Sequence, residues 1–105
     1  MSYLDDVGDD IRRRVPPELL PDGDLDLLFR LYALLALAKG NDIDAADVHD
    51  AWAVWIQQHD PDHAALKPFD ALSPDARVAD QPFVEAIRAV AASVGRGCQS
   101  PTSWR

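Results

Sequence analysis

The architecture of this chain depends above all on one segment, LDLLFRLYALLALA at residues 25–38. Only Asp26 and Arg30 within it are charged, and the spacing predicts one continuous helix. Asp24 is the predicted N-cap and Gly40 the predicted C-terminal cap. Because a helix that is apolar on nearly every side must be buried on nearly every side, we expect it to be the central helix of a bundle.

Two other settings for this helix compete with a bundle core. The uninterrupted apolar stretch after Arg30 ends at Ala38 and is far shorter than the roughly 20 residues that a bilayer requires, so we expect no membrane segment. A homodimer through the Leu25–Ala38 helix remains the open alternative, because so short a chain need not cover the helix completely.

The helix that follows has the clearest local signals. Asp44 is its predicted N-cap, Asp47 stands three positions later, and Ile43 and Val48 occupy the two positions of a hydrophobic staple. Pro61 ends the helix. Its buried stripe is expected to contain Val48, Ala51, Trp52, Trp55 and Ile56, with His49, Asp50, Ala53, Gln57 and Gln58 mostly outside it.

Helices are also predicted at both ends of the chain. Residues 3–14 carry an apolar stripe and are predicted to form a helix, which Ser2 can cap and which ends before Pro16. Residues 60–72 read as an irregular connector, Ser73 starts a short helix, and a last helix follows from about residue 80 to 95. No segment alternates as a strand does. The prediction is an all-α domain of four to five helices over residues 2–95, with a flexible tail at 96–105.

Composition narrows the class of protein. The 105 residues are 48% hydrophobic and carry a net charge of −8, which fits one small acidic domain and argues against broad nucleic-acid binding. The single cysteine, Cys98, excludes a disulfide framework. The N-terminus has neither a basic region nor a cleavable apolar stretch, so we expect a cytoplasmic protein.

Catalytic and metal motifs are weak. His59 and His63 are four residues apart, but Pro61 lies between them and no glutamate follows His59 as a zinc hydrolase requires. Cys98 stands in the expected tail without a neighbouring base, and the glycines form no phosphate-binding loop. We therefore expect no metal, no cofactor and no enzymatic activity.

Two tryptophans one helical turn apart mark the candidate site. Large aromatic residues at this spacing are usually core, but the rings of Trp52 and Trp55 point in different directions, so one can face a groove under the 60–72 connector. Such a groove suits a flat, stacking ligand or a partner's side chain. The candidate residues, with aromatic rings for stacking and histidines for hydrogen bonding, are His49, Trp52, Trp55, His63, Pro68 and Phe69.

The segments around this groove resemble the ryanodine-receptor repeat (RyR) domain. The resemblance rests on DVHDAWA at 47–53, DHAALKPFDAL at 62–72, Asp80, and Ile87 with Arg88. The Gly-Trp and Tyr-Gly segment of that family is missing. The resemblance implies a helical recognition module for a small, nucleotide-derived ligand. The Ala-, Asp- and Arg-rich composition also resembles proteins of actinobacteria and their phages, which implies the host cytoplasm if the protein is phage-encoded.

The sequence therefore predicts one of two functions. The first is a non-enzymatic module that binds a small molecule in the groove. The alternative is a protein-interaction module, which would dimerise through the apolar helix or present its acidic N-terminal face to a basic host protein.

Overall fold

The computed structural model describes residues 3–21 and 23–97. The described part folds into five α-helices and no strand, which confirms the all-α prediction; the proposed Ser2 cap, Cys98 and the rest of the tail lie outside it. The helices are α1 (Tyr3–Arg14), α2 (Asp26–Lys39), α3 (Ala45–His59), α4 (Pro74–Val78) and α5 (Gln81–Gly97). Short 3-10 turns lie at Pro17–Leu19, Gly40–Asp42 and Phe69–Ala71. The last helix runs two residues beyond the predicted end at 95.

Helix α2 is the centre of the bundle, as predicted, and contacts α1, α3 and α5. Its inner residues Leu28, Phe29 and Ala33 join one hydrophobic core with residues of the other three helices. The expectation of burial on nearly every side was wrong, however. Leu34 and Leu37 are 55% and 38% exposed, because the three neighbouring helices leave one face of α2 uncovered.

Helix α1 crosses α2 at very short range. A Cβ atom on Gly8 would lie 2.9 Å from the backbone oxygen of Phe29, so the crossing requires a residue without a side chain. At the edge of the same contact, the Arg30 guanidinium donates to the Asp5 carboxylate at 2.7 Å. The two helices are thus joined by backbone contact in the core and an ion pair at the surface.

The ends of α2 follow the sequence with one correction. Leu25, not Asp24, is the N-cap residue, and the Asp24 carboxylate instead accepts from the backbone N–H of Asp26 at 3.0 Å. Gly40 is the C-terminal cap, as predicted. It adopts φ 60°, a left-handed value that glycine tolerates, and its N–H donates to the Ala36 carbonyl.

Helix α3 begins with the predicted capping box. The Asp44 carboxylate accepts from the Asp47 N–H at 2.9 Å, and the Asp47 carboxylate accepts from the Asp44 N–H at 3.1 Å. The Lys39 ammonium adds an ion pair to Asp47 at 3.0 Å. On α5, the Arg88 guanidinium donates to the Ile43 carbonyl at 2.6 Å. The start of α3 is therefore fixed from its own sequence, from α2 and from α5.

Candidate functional site

A half-enclosed cleft of about 390 Å³ lies where α3, the 60–72 connector and the α4–α5 junction meet. Its floor is the inner face of α2, and the 16–21 segment closes its far end. Most of the lining is apolar. The lining residues are Leu19, Pro21, Tyr32, His49, Trp52, Ala65, Leu72, Ala76, Ala79, Asp80, Pro82 and Phe83.

His49 lies inside the molecule, where the sequence had placed it mostly outside the buried stripe of α3. It is only 3% exposed, because the connector folds over that side of the helix. Its Nε2 donates to the Lys67 carbonyl at 2.7 Å. Since a carbonyl only accepts, this bond puts a hydrogen on Nε2, and in the neutral ring Nδ1 is left as an acceptor.

Asp80 faces that free nitrogen from the start of α5. Its Oδ2 lies 3.9 Å from His49 Nδ1, which is too far for a direct hydrogen bond. Burial among the apolar lining residues raises the pKa of Asp80, and the nearby His49 lowers it by a smaller amount. The cleft therefore holds a carboxylate that is more costly to ionise than one in water.

The hydroxyl of Tyr32, on α2, is a third polar group of the cleft. The residue is only 1% exposed, and its hydroxyl makes no hydrogen bond to any other described residue. Every fully enclosed side-chain nitrogen or oxygen in the described part of the chain has a partner, so this hydroxyl must lie at the cleft surface. Burial raises the pKa of Tyr32, and the charge of Asp80 raises it further.

Trp52 forms the aromatic wall beside these groups. Its indole stacks on the His49 ring, with centroids 5.5 Å apart and planes 28° apart. The His63 ring contacts the Trp52 indole edge-on, with centroids 5.1 Å apart, and the backbone N–H of Ala65 donates to His63 Nδ1 at 3.0 Å. Trp52 is half-buried, contacts both histidine rings and lines the cleft.

Trp55 is part of the hydrophobic core and lies outside the cleft. It is 2% exposed, and its indole N–H donates to the Asp24 carbonyl at 2.8 Å. The His59 ring packs against it at 4.5 Å, and His59 Nδ1 donates to the Trp55 carbonyl. The two indoles therefore do point in different directions, as the sequence had suggested, with one in the core and one at a concave surface.

The predicted site residues divide into three groups. His49 and Trp52 line the cleft, while His63 and Phe69 stand behind them, with Phe69 at 6.2 Å from the His49 ring. Trp55 and Pro68 do not belong to the cleft: the first is core, and the second is an exposed residue at the start of a 3-10 turn.

Sequence reasoning missed Tyr32 and Asp80 as site residues. Tyr32 stood in an apolar stretch where it read as core, although a tyrosine among leucines and alanines does signal a polar tip that needs a partner. Asp80 read as a helix start. Only tertiary packing brings these two residues to His49.

The described lining of the cleft has few polar side chains: those of Tyr32, His49, Trp52 and Asp80. Its described lining contains no serine, threonine, cysteine, lysine or arginine. The imidazole Nε2 is already committed to a backbone carbonyl, so His49 has only Nδ1 to offer a ligand. No three His, Cys, Asp or Glu side chains within residues 3–21 and 23–97 come close enough together to hold a metal ion.

These features define a small acidic all-α module whose largely apolar cleft is lined by three further polar groups, those of Tyr32, His49 and Asp80. The chain belongs to the family described as Domain of unknown function (DUF7701), whose model matches residues 2–92. The resemblance to the ryanodine-receptor repeat was therefore wrong, because the matching family is a different one. No curated protein and no solved structure matches the chain. None of the described helices combines the length and apolar character needed to cross a bilayer.

Proposed function

We propose that this protein is a non-enzymatic module that binds a small organic molecule in the cleft between α3, the connector and the α4–α5 junction. The observation that carries the proposal is the Tyr32 hydroxyl, a polar group of a buried residue that lies at the cleft surface without a partner among the described residues. Buried polar groups in folded proteins are nearly always paired, so an unpaired one at a cavity surface supports a ligand or water there.

The dimensions and lining of the cleft support the same function. Small-molecule sites are commonly concave volumes of roughly 300–1,000 Å³ with apolar walls and a few polar groups, and the cleft has about 390 Å³. Trp52 and Phe83 provide flat apolar surface, and Asp80 and His49 provide polar atoms at one end. This arrangement fits a planar body with one polar head.

A nucleotide with its phosphates fits this lining poorly. That ligand class was expected from the resemblance that the family assignment has replaced. Phosphate recognition draws on arginine, lysine or a helix N-terminus, whereas the described lining offers a carboxylate and no cationic side chain other than a protonated His49.

The test is a fragment screen by ligand-observed NMR against a matched pair of variants. Ala65 lines the cleft and the adjacent Ala64 is exposed outside it, so Ala65→Trp fills the cleft while Ala64→Trp adds the same ring elsewhere. We expect planar fragments that bind the wild-type protein and Ala64→Trp but not Ala65→Trp. If fragments bind all three proteins equally, or none of them, the cleft is not a ligand site.

Self-association through α2 is the second candidate, and the exposed pair Leu34 and Leu37 favours it. These side chains are three residues apart and so share one face of the helix. Light scattering after size exclusion, over a wide range of concentration, tests this candidate. A dimer that Leu34→Glu dissociates would support it, whereas a monomer at every concentration would exclude it.

A further inference from the structure

We infer that the cleft selects an organic cation: a flat aromatic or apolar body that carries a primary ammonium or amidinium group. The inference rests on the proposed function and specifies its ligand class. It follows from the positions of two polar atoms in the cleft, His49 Nδ1 and Asp80 Oδ2, and from the aromatic rings that line the same cleft.

The first argument is the geometry of the two acceptors. His49 Nδ1 and Asp80 Oδ2 are 3.9 Å apart, too far for a direct hydrogen bond. A single nitrogen that carries two or more N–H groups can sit roughly 2.9 Å from both atoms and donate to each. An ammonium or an amidinium nitrogen meets this requirement, whereas a hydroxyl or a carboxylate has too few hydrogens to satisfy both acceptors.

The second argument is the fixed orientation of the imidazole. Its Nε2 donates to the Lys67 carbonyl, and the stacked Trp52 ring restricts rotation about the side chain. In the neutral ring Nδ1 therefore remains an acceptor directed towards Asp80. A ligand without donors would leave both of these acceptors unpaired on binding, which is costly once water is excluded.

Charge and aromatic surface favour a cation over a neutral donor. Asp80 is the only carboxylate in the described lining, and no lysine or arginine side chain accompanies it. The rings of Trp52, Phe83 and Tyr32 line the same cleft, and aromatic rings attract cations. The net charge of −8 adds a weaker attraction over a longer range.

The test compares three compounds with the same two-ring body: 2-naphthamidine, which is cationic, 2-naphthamide, which is neutral, and 2-naphthoate, which is anionic. Dissociation constants are measured by two-dimensional NMR, with the Trp52 and Trp55 indole N–H signals assigned from phenylalanine variants. Because charge-assisted hydrogen bonds are roughly twice as strong as neutral ones, we expect the amidine to bind about tenfold more tightly than the amide. The Trp52 signal should shift more than the Trp55 signal.

Two isosteric variants separate the carboxylate from general electrostatics. Asp80→Asn should reduce the preference for the amidine over the amide to less than about twofold, because the charge-assisted bond is lost. Asp75→Asn removes one charge from exposed α4, outside the cleft, and should retain the preference. A preference that survives in Asp80→Asn would overturn the inference, since bulk charge alone would then explain it.

The outcomes also distinguish this inference from the proposed function. If the amide and the amidine bind equally and Ala65→Trp blocks both, the cleft binds small molecules without selecting cations, and only the inference fails. Tighter binding of 2-naphthoate has the same consequence. If none of the three compounds binds and the fragment screen is also negative, both proposals fail.

Discussion

Replacing Trp55 by phenylalanine, and separately Trp52 by phenylalanine, tests whether Trp55 belongs to the core and Trp52 to the cleft. Both residues lie on α3, one turn apart, so helix propensity and chemistry of the substitution are the same. Trp55 is in the core and donates to the Asp24 carbonyl, whereas Trp52 is half-buried and donates to no described residue. The stability of the two variants should therefore differ.

The expected size of the Trp55→Phe effect has two parts. Loss of the hydrogen bond to Asp24 costs about 1 kcal/mol. The smaller ring buries on the order of 50 Å² less apolar surface, which at about 25 cal/mol per Å² adds about 1.2 kcal/mol. Together they lower the free energy of unfolding by about 2 kcal/mol, or the melting temperature by on the order of 10 °C for a domain of this size.

Trp52→Phe should cost less than about 1 kcal/mol, because the half-exposed ring gives up less buried area and no hydrogen bond to the protein. It should instead weaken binding of 2-naphthamidine. Urea unfolding followed by far-ultraviolet circular dichroism measures both stabilities without relying on tryptophan fluorescence. Equal losses of stability, or a larger loss for Trp52→Phe, would refute the assignment of one indole to the core and one to the cleft.

Three further changes test other parts of the structure. Gly8→Ala gains about 1 kcal/mol of helix propensity but forces a methyl group against the Phe29 backbone, at a cost of about 1–3 kcal/mol, so a net loss is expected in thermal unfolding. Asp44→Ala removes the carboxylate that caps α3 by accepting from the Asp47 N–H, and should lower the free energy of unfolding in urea by about 1 kcal/mol. Asp80→Asn should raise the melting temperature at neutral pH, because the folded protein disfavours ionisation of Asp80.

The pH dependence fixes the sign of the Asp80 prediction. Since the pKa of Asp80 is raised in the folded state, the wild-type protein loses stability as the pH rises from the ordinary value of 3.8 through the raised pKa. The advantage of Asp80→Asn should therefore be absent below pH 3.8 and grow as the pH rises above it. An advantage that is the same at every pH would contradict burial as its cause.

Exposed residues provide the controls for the other two changes. Asp9→Ala raises helix propensity at an exposed position of α1, and should not destabilise the protein. Asp50→Ala removes a carboxylate from α3 beyond its first turn, where it caps nothing. If Gly8→Ala proves as stable as Asp9→Ala, the close approach of α1 and α2 is less tight than described. A loss for Asp50→Ala equal to that for Asp44→Ala would argue against the capping box.

The sequence predicted those features of the fold that depend on neighbouring residues. The cap at Asp44, the glycine at residue 40 and the short helix after Ser73 are set by local hydrogen bonding, and the structure has all three. The central position of α2 followed from its composition. Its N-cap was placed one residue too early, because the Asp24 carboxylate forms a turn instead of the cap itself.

The site was predicted only in part, because it depends on contacts between distant segments. His49 lies at the edge of the apolar stripe of α3, and only the Lys67 carbonyl, 18 residues later, allows it to be buried. Tyr32 lies on a helix that the sequence assigned to the core, and Asp80 was interpreted as a helix start. No local pattern indicates that these two residues line the same cleft as His49.

The cleft is built from two kinds of structure, and this has a consequence for how the family can diversify. Its floor belongs to helices that share the hydrophobic core, whereas Leu19, Pro21 and Ala65 come from segments outside the α-helices. Exchanging those covering segments would leave the core contacts of α2 and α3 intact. Under the proposed function, remodelling of these two covering segments would change the specificity of the cleft and leave the stable helical core unaltered.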